Sequence, residues 1–97
     1  MFRFLIMVKP EIKERFVKEK KQMDIVFDRI EVSRDRIESQ QFLDMAINYY
    51  KDSDYFYGKK DYLRAFEAIV ISWAYVDAGI KMGFFNVPED MKPYFTS

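Results

Sequence analysis

The sequence predicts an all-α protein, a three-helix bundle whose second and third helices form an antiparallel hairpin. Three observations carry this expectation. Only three Gly and three Pro punctuate the 97 residues, which favours a few long helices over many short strands. Apolar residues recur at steps of three and four in three segments, at about 10–30, 36–57 and 61–82. The break between the last two segments is short enough to fold one back on the other. A chain of this length makes one domain, 1–97, and buries roughly 60–70% of its unfolded surface. Within it, 1–9 reads as an apolar extension and 84–97 as a C-terminal tail.

Helix 1 is expected to begin at Pro10, whose missing N–H costs nothing at the first helical position, with Glu11 favouring the positive end of the dipole. Ile12, Phe16, Met23, Phe27 and Ile30 form one stripe, with Lys20 standing in its gap. Asp35 followed by Glu38 resembles a capping box and starts helix 2 at about Arg36. Phe42, Ala46, Tyr49, Ser53 and Phe56 make its inner stripe, widened by Leu43, Ile47 and Tyr50. Gly58 offers a left-handed C′ residue, and Asp61 an N-cap for helix 3.

Helix 3 has the strongest pattern. Tyr62, Phe66, Ile69, Trp73, Val76 and Ile80 step by 4, 3, 4, 3 and 4, a heptad-like seam. Beside it runs a stripe of small residues, Ala65, Ala68, Ser72 and Gly79, with Ala46 and Ser53 of helix 2 as the natural counterpart. Gly79 should let a neighbouring helix approach closely, despite ~1 kcal/mol of lost helix propensity. Gly83 closes the helix, and NVPEDMKPYFTS reads as a tail with one turn after Pro88.

The span Phe42–Phe85, with FLDMAINYYKDSDYF, the turn GKKDY, RAFEAI, then W, VDAG and MGFF, resembles the archaeal domain-of-unknown-function family 357. The resemblance implies a short helical protein with no assigned activity. The chain departs from the family pattern at Tyr75, where Trp is expected, and at Ser72, where Ala is expected. Both changes keep an aromatic or a small side chain.

Composition removes most enzyme classes. There is no Cys and no His, so thiolate nucleophiles, imidazole bases and the usual zinc sites are excluded. No catalytic residue, cofactor or metal is expected. Lys+Arg and Asp+Glu number 16 each, which disfavours nucleic acid as a partner. The balance hides an asymmetry: residues 1–36 hold 10 basic and 7 acidic side chains, hence +3, and 37–97 hold 6 and 9, hence −3. The N-terminal MFRFLIMV is far shorter than the ~20 residues that span a bilayer, and no small-residue cleavage site follows. The chain therefore reads as cytoplasmic and free of membranes.

Three surfaces remain. On helix 3, Arg64, Glu67, Asp77 and Lys81 share their sector with Leu63, Val70, Ile71, Ala74 and Ala78, so the outward side is too apolar for water. Leu63, Val70, Ile71, Ala74, Asp77, Ala78 and Lys81 are the expected partner interface, of a homo-oligomer (dimer favoured) or with another protein. Asp77 and Lys81 alone read as an i,i+4 ion pair worth ~0.3–0.5 kcal/mol. Second, Tyr55, Tyr57, Lys59 and Lys60 crowd the hairpin end, where interleaved rings and ammonium groups could stack bases and hold phosphates. Asp52, Asp54 and Asp61 among them cancel the field that nucleic acid requires. Third, Asp44, Asn48 and Asp52 line one side of helix 2, more as a solvated face than a magnesium site. The expected function is a non-enzymatic interaction or scaffold module that self-associates; the alternative is an RNA- or nucleotide-binding adaptor using the Tyr/Lys end.

Overall fold

The computed structural model describes residues 2–95, with side chains from Glu11 onward. The elements, in chain order, are α1 (Phe2–Arg29), β1 (Glu31–Val32), α2 (Ile37–Gly58), α3 (Tyr62–Lys81), β2 (Phe85–Asn86) and a 3-10 helix (Glu89–Phe95). The helical bundle and its hairpin are as expected, and the ends of α2 and α3 fall within a residue of the predicted ones. The start of α1 does not. It begins at Phe2, so Pro10 lies inside the helix, where the missing donor costs one backbone hydrogen bond, about 3 kcal/mol. Arg3, Leu5, Met7 and Lys9, all good helix formers, carry the backbone through. The apolar side chains of residues 1–9 lie outside the described ones.

The hairpin is the tightest contact. Ala65, Ala68 and Ser72 are buried along α3, and Ala46 and Ser53 are buried on α2, so both helices of the hairpin bury small residues. The Ser72 hydroxyl donates to the Ala46 carbonyl oxygen at 2.6 Å, tying the two helices where an alanine would leave only contact. Ile69 and Val76 are fully buried beside this stripe, each contributing roughly 1.5–3 kcal/mol. From α1, Phe16, Met23 and Val26 close the core. Toward α2, α1 reaches mainly with long side chains: Phe16 stacks on Tyr57 at 4.9 Å, and Phe27 meets Tyr50 edge-on at 5.1 Å.

Two local features differ from expectation. No capping box forms at α2: the Ser33 hydroxyl donates to the Asp35 carboxylate instead, holding that carboxyl below its usual range, and Arg36 takes the N-cap place without a side-chain cap bond. The left-handed residue that ends α2 is Lys60 at φ 62°, not Gly58. Lys60 N–H donates to Tyr57 O and Asp61 N–H to Phe56 O, both at 2.9 Å, the paired bonds of a Schellman ending. Asp61 then caps α3 as expected, its carboxylate accepting from Arg64 N–H at 3.2 Å. Gly83, at φ 81°, ends α3 in the same way, with Gly83 N–H to Ile80 O and Phe84 N–H to Gly79 O.

The tail is core. Phe84, Phe85, Val87 and Met91 are buried with the helices. β2 pairs antiparallel with β1, Glu31 opposite Asn86 and Val32 opposite Phe85. Arg36 donates to Met82 O at 3.1 Å and lays its guanidinium over the Phe84 ring at 5.1 Å, and Arg29 grips Asp90 with two bonds of 2.9 and 3.1 Å. Gly79 is accordingly small for a different neighbour than predicted: the ring of Phe85 lies where its Cβ would be.

Candidate interaction surface

α1 and α2 cover one side of α3, and the 3-10 helix covers Trp73 with Phe95 at 5.0 Å. The remaining side is left to solvent. Leu63 is 57% exposed, Val70 44% and Ile71 37%; Ala74, Glu67 and Lys81 are exposed, and Asp77 and Ala78 half-buried. All seven residues of the predicted interface thus lie on or at the edge of one outward face. Met82, the C-cap of α3, is also exposed and extends the C-terminal end of this face beyond the seven predicted residues. Asp77 and Lys81 form the expected pair at 2.8 Å. The other Asp77 oxygen is buried and accepts no hydrogen bond among the described residues.

The Tyr/Lys end comes apart on folding. Tyr57 stacks on Phe16 and lies 5.5 Å from Tyr62, and Tyr62 carries Lys13 over its ring at 5.3 Å. Tyr49 stacks with Tyr75 at 6.0 Å. Tyr55 alone of the predicted patch offers a largely exposed ring, with Lys59 over it at 5.6 Å and the exposed Lys60 nearby in sequence. Pairing with α1, and with α3 for Tyr49, takes the other rings out of reach, and only the tertiary fold could reveal that pairing.

Sequence reasoning also passed over a polar cluster between α1 and α2. The Tyr50 hydroxyl donates to Asp24, while Lys20 lies 2.7 Å from Asp54 and 4.7 Å above the Tyr50 ring. Burial and the bond to Asp24 push the Tyr50 hydroxyl up. Burial lowers Lys20, but the hydrogen bond and charge of Asp54 outweigh it and leave the ammonium raised. Both shifts hold protons in place, the reverse of what an activated nucleophile or base needs. The groove alongside, ≈ 640 Å³, has Phe27, Ile30, Leu43 and Ile47 in its floor and Asp24, Asp28 and Lys51 at its edge. Asp44 accepts from Gln40 at 2.8 Å, and no group of three or more acidic, His or Cys side chains among the described residues could hold a metal. No helix among them is long and apolar enough to cross a membrane.

A family model described as "Protein of unknown function (DUF357)" matches residues 17–85. The chain belongs to this family. The matched span runs from the middle of α1 to β2 and contains the whole α2–α3 hairpin and the outward face of α3. A crystal structure of a protein of the same family from Archaeoglobus fulgidus superposes with a TM-score of 0.73 at 26% identity, covering 84% of this chain and 99% of that one. No curated protein matches the chain. The family's description assigns no activity, so function must be sought in the surface.

Proposed function

We propose that the chain is a non-enzymatic, cytoplasmic interaction module that self-associates through the outward face of α3. The observation that carries this reading is the run of Leu63, Val70, Ile71 and Ala74 left in water by a helix whose other sides are packed. These apolar side chains share one face with Glu67 among them and Asp77 and Lys81 toward its C-terminal end, the mixture of apolar area and a few charges that interfaces carry. The absence of Cys and His, the proton-holding cluster at Tyr50 and the paired state of Asp77 offer no chemistry that competes with it. The nucleic-acid reading has less support, since Tyr57 and Tyr62 are engaged with α1 and only Tyr55 is left to stack.

Light scattering and thermal melting across a dilution series test the proposal. A dimer that dissociates on dilution and melts at lower temperature as it does so is expected. Val70→Glu should abolish both effects while leaving the monomer helical. A clean monomer at high micromolar concentration, with melting indifferent to dilution, would refute it.

A further inference from the structure

We infer that the second copy docks on α3 in one register: antiparallel, with a two-fold axis passing at Ala74, so that Glu67 of each copy faces Lys81 of the other. This rests on the self-association proposed above and specifies its geometry. At about 100° and 1.5 Å per residue, Glu67, Val70, Ala74, Ala78 and Lys81 share one outward sector of α3. Glu67 and Lys81 stand equally far from Ala74 along the helix, one on each side. A two-fold at Ala74 therefore brings each acid level with a base.

Other arrangements that overlap the face along its length lose this match. A parallel pair sets Glu67 against Glu67 and Lys81 against Lys81. An antiparallel pair centred on Ser72 sets Glu67 level with Asp77, again like against like. Centred between Val70 and Ile71, it sets Asp77 level with Arg64, but these two lie on opposite edges of the face, and a two-fold axis keeps opposite edges apart. At the favoured crossing, the methyl side chain of Ala74 allows the helices to approach toward the close end of the ~8–10 Å range. Val70 and Ala78 of the two copies then flank the centre. Lys81 already holds Asp77 at 2.8 Å, so its ammonium comes to lie between carboxylates of both copies. Such charges fix orientation and exclude wrong registers more than they add affinity.

The lack of native cysteine makes the register directly testable. Under mild oxidation Ala74→Cys should convert to a disulfide-linked dimer, because the crossing residues alone come within the ~4.4–6.8 Å that a disulfide spans; Leu63→Cys should remain unlinked. Glu67→Lys should weaken self-association about tenfold, and Glu67→Lys combined with Lys81→Glu should return it to within about twofold of the wild type, as a coupled pair requires. A dimeric wild type whose Ala74→Cys form does not link, and whose double exchange does not restore association, overturns the register while leaving self-association standing. Linking by both thiol variants marks random collision and overturns it too. A wild type that stays monomeric at its highest soluble concentration overturns both.

Discussion

Replacing Gly79 by Ala sets two effects of opposite sign against each other at one atom. Helix propensity alone predicts stabilisation by about 1 kcal/mol, because Gly79 lies within α3. The added Cβ, however, would overlap Cδ2 and Cε2 of Phe85 and stand 3.2 Å from its Cγ. Phe85 is 4% exposed and is held in register by β1, so its ring cannot swing clear without leaving the core. Forced repacking costs about 1–3 kcal/mol, and expelling the ring forfeits a burial of about 3 kcal/mol. With the propensity gain subtracted, a net loss of about 2 kcal/mol remains, or roughly 8–16 °C in Tm for a domain of this size. Circular dichroism melts of Gly79→Ala, Phe85→Ala and the double variant measure it. The double variant should be no less stable than Phe85→Ala alone, since the Cβ then has no ring to meet. A Gly79→Ala protein that melts at or above the wild type would refute the steric account.

Lys60→Gly should raise stability by up to about 1 kcal/mol in urea unfolding, because a glycine at φ 62° avoids the crowding that a side chain meets in the left-handed region. Met91→Ala should cost about 2–5 kcal/mol, since Met91 is 1% exposed; a loss under 0.5 kcal/mol, as expected of an exposed tail, would remove this segment from the core. The bond to Arg29 holds the Asp90 carboxyl below its usual value. Its contribution to stability is therefore present above the unfolded carboxylate pKa of ~3.9 and is lost as pH falls through the lower folded value. Urea midpoints at pH 7 and pH 3 should differ slightly less in Arg29→Gln than in the wild type, the effect being small because both groups face solvent.

The helices were legible because their burial is periodic. Any residue of α3 can be placed by its angle alone, so that the exposed Leu63, Val70, Ile71, Ala74 and Lys81 group in one sector of the helix. Phe84, Phe85, Val87 and Met91 follow no helical or strand period, and they sit between Gly83 and Pro93 in a stretch whose breakers suggest a loop. Phe85 is held by pairing with Val32, more than fifty residues earlier, and Phe84, Val87 and Met91 pack in one core with helices far from them in sequence; such contacts leave no local mark. Gly79 was recognised as a place of close approach, but its partner is a ring from that same segment rather than a helix. Propensity likewise favoured Gly58 as the left-handed residue, whereas α2 continues through Gly58 and turns at Lys60.

Trp73 is the single tryptophan of the chain, and its indole Nε1 is buried without an acceptor among the described residues while its ring abuts Phe95. The tryptophan fluorescence of the protein is thus a signal of the seating of Glu89–Phe95 as well as of the core on which Trp73 packs. Emission should be blue-shifted in the native state and move to the red as soon as that short helix lifts away, with the amide circular dichroism barely altered. Local release of this kind lies at the low-energy end of native fluctuations. Two optical unfolding curves that fail to coincide, ordinarily a sign of an intermediate in the whole domain, would here have a narrower meaning: the indole changes solvent before the helices change shape.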